Sequence, residues 1–446
     1  MVEIVRPGLF TEIWGYNGMF PGPTIRARKG HPAVVRFHND LYVETSVHNH
    51  GGHTPQESDG FPDAFILPGL YKDYIYPNIA PGDTLVEQES EFASTQWYHD
   101  HAMDITGENV YRGLAGFYLL TDDLEEDLIA NGKLPDYKDY DKFGQPFDIP
   151  VTVQDKLFSR RGSMIYDTFD HDGFLGDVYV INGKAQPYLN VQRAKYRFRL
   201  LNASNARFYE LRLTSGSFLQ VGNDSWLLGE VVHRNTVSIA PAERADVVID
   251  FRSASGVVYL ENILEQDDGR GPDDDRRIPG TPLLKFIVNS GPAINNAPGC
   301  VPGAALRPHV AIREDEIVRT REFEFDREHG AWVINDRFFD PDRDDADPQV
   351  GDAERWILEG GGGWAHPIHI HLEAQQVQRY DGRLPPLYDS FKKDTVQLRD
   401  DQEEIEIFIK FRTFPGRYVF HCHNLEHEDM RMMGVFHVQG DPFQCL

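Results

Sequence analysis

Near the C-terminus, Tyr418-Val-Phe-His-Cys-His-Asn-Leu-Glu-His-Glu-Asp-Met-Arg-Met432 places one thiol, three imidazoles and a closing thioether within fifteen residues. Tyr418 to His421 reads as a strand, rich in β-branched and aromatic residues. Continued through His423, such a strand turns Cys422 to one face and His421 and His423 to the other. One backbone then feeds two metal sites on its two sides, an arrangement suited to electron transfer between metals. A thiolate, two imidazoles and a long axial thioether form a blue electron-transfer copper site. Cys422 and His427 supply two of these ligands, and Met432 follows His427 by five residues. Zinc sites draw on two or more thiolates or on a closed four-ligand set, and only one Cys lies here.

Four His-x-His units extend the pattern: His48/His50, His99/His101, His369/His371 and His421/His423. In a strand, residues i and i+2 share a face, so each unit presents two imidazoles together. Two units lie early in the chain and two late, and eight imidazoles suit about three metal ions. His366 remains and can complete the Cys422/His427 site. The histidines at 31, 38, 53, 171, 233, 309, 329 and 437 fit no such spacing and read as surface or hydrogen-bonded residues. Among them His53 competes with His48 or His50, but i, i+2 geometry favours the latter pair.

The elements that must carry these residues are short, alternating and separated by Pro and Gly, the pattern of β-sandwiches. Thr121–Asn131 reads as one short helix. Composition breaks divide the chain into 1–122, a linker 123–147, 148–290, a linker 291–304, and 305–446. An internal repeat supports three copies of one sandwich. Asn17-Gly-Met-Phe-Pro resembles Asn182-Gly-Lys-Ala-Gln-Pro and, more loosely, Asn335-Asp-Arg-Phe-Phe-Asp-Pro. Strands are expected at 33–39, 195–202 and 354–359, followed by a turn plus strand after Ile79-Ala-Pro-Gly-Asp and Ile239-Ala-Pro-Ala-Glu. Where the outer copies carry His-x-His, the middle copy has Phe208-Tyr-Glu-Leu211 and Val257-Val-Tyr-Leu-Glu-Asn262. The middle copy therefore reads as a spacer without metal ligands.

Together these motifs resemble the three-domain multicopper oxidases, most closely the bacterial spore-coat laccase and bilirubin oxidase branch. The match is carried by His48-Asn-His50-Gly-Gly, Trp97-Tyr-His-Asp-His101, His366-Pro-Ile-His-Ile-His371 and His421-Cys-His-x-x-x-His427. It is flanked by Gly15-Tyr-Asn-Gly, Phe20-Pro-Gly-Pro, Ser58-Asp-Gly60 and Leu425-Glu-His-Glu-Asp429. The resemblance implies an all-β chain of three consecutive cupredoxin-like Greek-key β-sandwich domains with a few short helices. It implies four copper ions: a type 1 copper on His366, Cys422, His427 and Met432; a type 2 copper on His48 and His369; and a type 3 pair on His50, His99, His101, His371, His421 and His423. Electrons would enter from small-molecule donors such as phenols, aromatic amines or bilirubin-like pigments, at an exposed edge of His427, and dioxygen would be reduced to water. Asp59 and Glu428 match positions that this branch uses in proton delivery, which fits a reaction that consumes protons. Oxidation of Cu(I) or Mn(II), and a copper-binding coat protein with incidental oxidase chemistry, are the competing readings.

The formal charge of −27 argues against nucleic acid or an anionic membrane as partner, since both demand basic patches. No run of 18 apolar residues spans a membrane. A monomer is expected. No signal peptide opens the chain, which leaves a cytoplasmic or spore-coat protein, or a secreted one with its leader removed. Of three cysteines, Cys300 and Cys445 are left over, and a disulfide between them would require an oxidising compartment. The acidic loop 265–277 reads as solvated.

Overall fold

The computed structural model describes residues 1–272, 275–399 and 403–440. Its elements are overwhelmingly strands, arranged as three successive pairs of sheets and a small two-stranded sheet of Val2–Glu3 and Phe10–Thr11. In the N-terminal third, a four-stranded sheet runs in the order Ile25–Arg28, Ala115–Thr121, Thr95–Asp100, Val47–His50. It packs on the Ala33–His38/Tyr71–Tyr76 ribbon through Val47, Tyr74, Tyr76, Tyr98 and Tyr118. The C-terminal third repeats the plan: Thr395–Leu398, His366–Ile370, Gly416–Cys422 and Met433–Val438 form one sheet, opposed by a six-stranded one. Its core gathers Phe323, Trp356, Phe420 and Phe436 around Cys422 and Met432. The middle third contains an eight-stranded and a five-stranded sheet around a large aliphatic and aromatic core.

Register decides where the histidines point. His48 pairs with His99 across one antiparallel ladder, and His369 pairs with His421 across the other. Directly opposed residues share a face, so each outer third gathers its four imidazoles on one side of its sheet. Ile368 pairs with Cys422, which puts the thiol on the opposite, core-facing side.

Strands form at Ala33–His38, Lys195–Asn202 and Ala353–Gly360, as the repeat predicts. The repeat fails at one place. Ile239-Ala-Pro-Ala-Glu leads into the strand Arg244–Asp250, but Ile79-Ala-Pro-Gly-Asp leads into the helix Leu85–Glu91. The Thr84 hydroxyl accepts from Glu87 N, and the Glu- and Gln-rich run behind this cap favours helix over strand.

The helix expected at Thr121–Asn131 spans Asp123–Ala130, capped by Asp122. The stretch 291–304 is largely exposed but anchored at two residues. Ala297 and Cys300 are buried, and Lys195 Nζ donates to their carbonyls at 2.9 and 2.7 Å. Cys445 lies outside the described residues. Beyond Glu265 the loop is partly anchored: Gln266 is buried and its amide donates to Ala206 O at 3.2 Å. Among the described residues, no helix is long and apolar enough to cross a membrane.

Candidate metal centre

The faces of the two outer thirds meet, and the eight paired histidines converge between them, all buried. Single ring nitrogens of His50, His99 and His423 lie within 4.8 Å of one another, and so do those of His101, His371 and His421. His48 Nε2 and His369 Nε2 are 3.3 Å apart. His421 and His423, neighbours on one strand, thus enter different trios.

Hydrogen bonds around the cage fix the ring tautomers. His48 Nδ1–H donates to Asp59 O at 2.6 Å, and His369 Nδ1–H donates to Asp394 O at 2.7 Å. Both Nε2 atoms then carry lone pairs that face each other with no proton to share. The same holds for His421, whose Nδ1–H donates to Cys422 O at 2.9 Å, and for His371, whose Nδ1–H donates to Asp59 Oδ2 at 2.7 Å. Their Nε2 atoms are 3.3 Å apart. Opposed lone pairs in a dry interior repel unless a cation lies between them. In the third group, His50 Nδ1, His99 Nε2 and both nitrogens of His423 are buried without any hydrogen-bond partner in the structure. The donor set therefore fits metal ions and little else. Burial, and in most cases the neighbouring imidazoles, hold these histidines neutral: His99 is pushed down to about 3 and His421 to about 4. Neutral imidazole is the form that ligates.

On the opposite face of the Gly416–Cys422 strand, Cys422 Sγ lies 3.4 Å from His366 Nδ1 and 3.5 Å from His427 Nδ1. All three are buried. Asn424 N–H donates to the sulfur at 3.4 Å. Burial pushes the thiol up, so a thiolate here needs a metal's positive charge beside it. Met432 is buried in the same cluster, and its backbone carbonyl accepts from Cys422 N at 3.1 Å.

Known proteins resemble this chain over most of its length. The multicopper oxidase family models match residues 2–125 and 314–442. A bilirubin oxidase from Albifimbria verrucaria is 36% identical over 440 residues, covering 95% of this chain and 72% of that protein. The chain belongs to the multicopper oxidase family. A laccase from Bacillus stratosphericus is 34% identical, covering 95% of this chain and 90% of that protein. The crystal structure of a laccase from Pediococcus acidilactici superposes with a TM-score of 0.81 at 28% identity, covering 98% of this chain and 87% of the other. The chain is thus a laccase-like, copper-binding oxidoreductase with the cupredoxin-like fold.

Two features of this multicopper oxidase depart from its sequence reading. His427 does not present an exposed edge: its relative exposure is 0%. Its Nε2–H donates to Asp172 O at 3.0 Å, and the Trp332 ring lies over it at 3.7 Å. The cover comes from Trp332 and from segment 158–180, in which the sequence shows no signal. The middle third is also more than a spacer. It supplies no cage histidine, yet Tyr166 and Asn205 donate to Glu426 Oε1 at 2.8 and 2.7 Å, clasping the helix Leu425–Asp429 that carries His427.

One residue of the cage escaped the sequence reading. Asp394 mirrors Asp59: its carbonyl holds His369, and its Oδ1 accepts from His50 Nε2–H at 3.0 Å. The signal available was the repeat itself, which asks for an acidic partner in the C-terminal copy. His53 stays outside the cage, with Nδ1–H donating to Leu372 O at 3.2 Å.

Proposed function

We propose that this protein oxidises small aromatic donors one electron at a time and reduces dioxygen to water, using four copper ions. His366, Cys422 and His427, with Met432 of the same buried cluster, would hold the type 1 ion. His48 and His369 hold type 2. His50, His99 and His423 hold one type 3 ion, and His101, His371 and His421 hold the other. The observation that supports this most is the pairing of opposed, proton-less imidazole nitrogens with a separate Cys/His/His cluster on the other face of one strand.

Bound copper would supply one-electron acceptance at the thiolate site and four-electron reduction of dioxygen at the imidazole cage. The chain's own part is to wire and to protonate. Cys422 Sγ connects through its backbone to His421 and His423, one in each trio. Asp59 and Glu428 hold protons at the cage. Burial raises Asp59 to about 8, and its Oδ1 has no partner in the structure. Glu428 is raised by burial and by the adjacent Asp429 carboxylate. It sits 3.5 Å from His101 Nδ1, and its Oε2 is likewise unpaired in the structure. Donors reach the buried His427 through its cover, by outer-sphere transfer. Phenols, aromatic amines and bilirubin-like pigments are the expected class, and the working unit is a monomer of three domains, 1–122, 148–290 and 305–446.

A second reading, oxidation of a metal ion such as Cu(I) or Mn(II), is favoured by a cavity of about 210 Å³ lined by Asp104, Glu108, Asp170, Glu426, Asp429 and Met430. Oxygen uptake with a panel of phenols, bilirubin, Cu(I) and Mn(II) separates the two. Cys422→Ser tests the core assignment. It is expected to abolish the blue colour and donor oxidation while three coppers remain. Full activity in that variant defeats the proposal.

A further inference from the structure

The two aspartates of the cage are held differently. Asp59 keeps an unpaired Oδ1, whereas both oxygens of Asp394 are engaged by Arg244 of the middle third. Arg244 Nη1–H donates to Asp394 Oδ1 at 2.7 Å, and Nη2–H donates to Asp394 Oδ2. The guanidinium is wholly buried. Its remaining donors go to Ala242 O at 3.0 Å, Thr95 O at 3.3 Å and Ser225 Oγ at 2.6 Å. The adjoining turn of the middle third completes the lock. Asp224 Oδ2 accepts from Asp394 N at 3.0 Å and from Thr395 N at 3.1 Å. Ser225 O accepts from Ser94 N at 2.6 Å in the N-terminal third.

The cation reaches the histidine motif itself. A Cβ on Gly51, next to His50, would lie 1.9 Å from Ser225 Oγ and 2.8 Å from Arg244 Nη2. Gly51 also has φ +80°. Glycine there is what lets the middle third approach so closely.

We propose that Arg244 is a positioning residue of the copper cage: by fixing Asp394 bidentately it sets the orientation of His50 and His369, and so the type 2 ion and one wall of the type 3 pair. A planar fork suits this task, because it fixes the carboxylate in plane as well as in place. The inference rests on the copper assignment above. Groups that orient metal-ligating histidines typically govern metal affinity by roughly 10- to 100-fold.

The test uses the copper-loaded protein and the variants Arg244→Met and Arg244→Lys. Arg197→Met serves as control: it removes another buried cation, paired with Glu125, that touches no cage residue in the structure. Copper per chain, the type 2 electron paramagnetic resonance signal and the blue absorption are measured together. Arg244→Met is expected to lower affinity for the type 2 copper roughly 10- to 100-fold and to weaken or shift its signal while the blue band persists. Arg244→Lys, with no fork, shows a shifted type 2 signal even if the Met variant fails to fold. Unchanged type 2 signals in both Arg244 variants overturn the proposal, as does the same change in Arg197→Met. A wild-type protein that lacks blue colour or four coppers instead defeats the copper assignment.

Discussion

In the proposed function, protons and electrons are handled by different residues, so the two should separate by mutation. Glu428 directly follows His427, but its carboxylate lies against His101 and is no member of the His366/Cys422/His427 group. Glu428→Gln is therefore expected to slow steady-state dioxygen reduction by roughly 10²- to 10⁴-fold, the usual scale of a lost proton donor. Anaerobic bleaching of the blue colour by donor should keep its rate, and a slower bleach would remove Glu428 from this role. Lys156 shows what burial costs away from the site. It is wholly buried, its Nζ has no hydrogen-bond partner in the structure, and burial lowers it from 10.5 to about 7. Between those values the unfolded chain binds more protons than the folded one, so stability rises with pH through that window and the full penalty applies below about 7. Each tenfold loss of proton affinity on folding corresponds to about 1.4 kcal/mol. Lys156→Met should therefore raise stability by a few kcal/mol near pH 6 and flatten the dependence above it. Denaturant melts at pH 6 and 9 that move equally for both proteins would contradict this. The eight histidines that converge between the outer thirds were legible from i, i+2 repetition, a local signal, and His366, Cys422 and His427 from the ligand types gathered around them. Arg244 and the cover on His427 were not, since each is defined by contact between distant parts of the chain, and Asp394 had only the loose third copy of the repeat to point to it.

Among the elements, strand register carries the site. The His48–His99 and His369–His421 pairings leave no room for slippage, because a one-residue shift would turn every imidazole to the wrong face. A glycine protects the first of these ladders. Gly60 has φ +85°, and a Cβ there would lie 2.2 Å from Val47 O. Gly60→Ala must push the Val47–His48 backbone aside or strain the turn, at about 1–3 kcal/mol. It should also displace Asp59, which holds His48 and His371. Copper content and thermal stability equal to wild type would show that the turn yields without consequence. The sandwich pattern could be read from alternation and turn residues. The Leu85–Glu91 helix could not, because its preceding turn copies one that elsewhere starts a strand.

At the scale of the whole molecule, the cage exists only while the outer thirds are clamped together, and the middle third does much of the clamping. Near His427 the surface is acidic: Asp104, Glu108, Asp170 and Asp429 line one cavity, within a chain of net charge −27. Cationic donors should therefore show a KM that rises with salt and anionic donors one that falls, most steeply below about 0.1 M, where screening reaches only about 10 Å. Equal salt slopes for the two would mean that electrons enter elsewhere. One strand, Gly416–Cys422, with His423 just beyond it, feeds a thiolate site on one side and an eight-histidine cage on the other. Anomalous X-ray scattering at the copper edge tests it directly. It should place one ion among Cys422, His366 and His427 and three ions within the cage, one beside His48 and His369 and one in each trio. Fewer than three ions in the cage, or none beside Cys422, would contradict it.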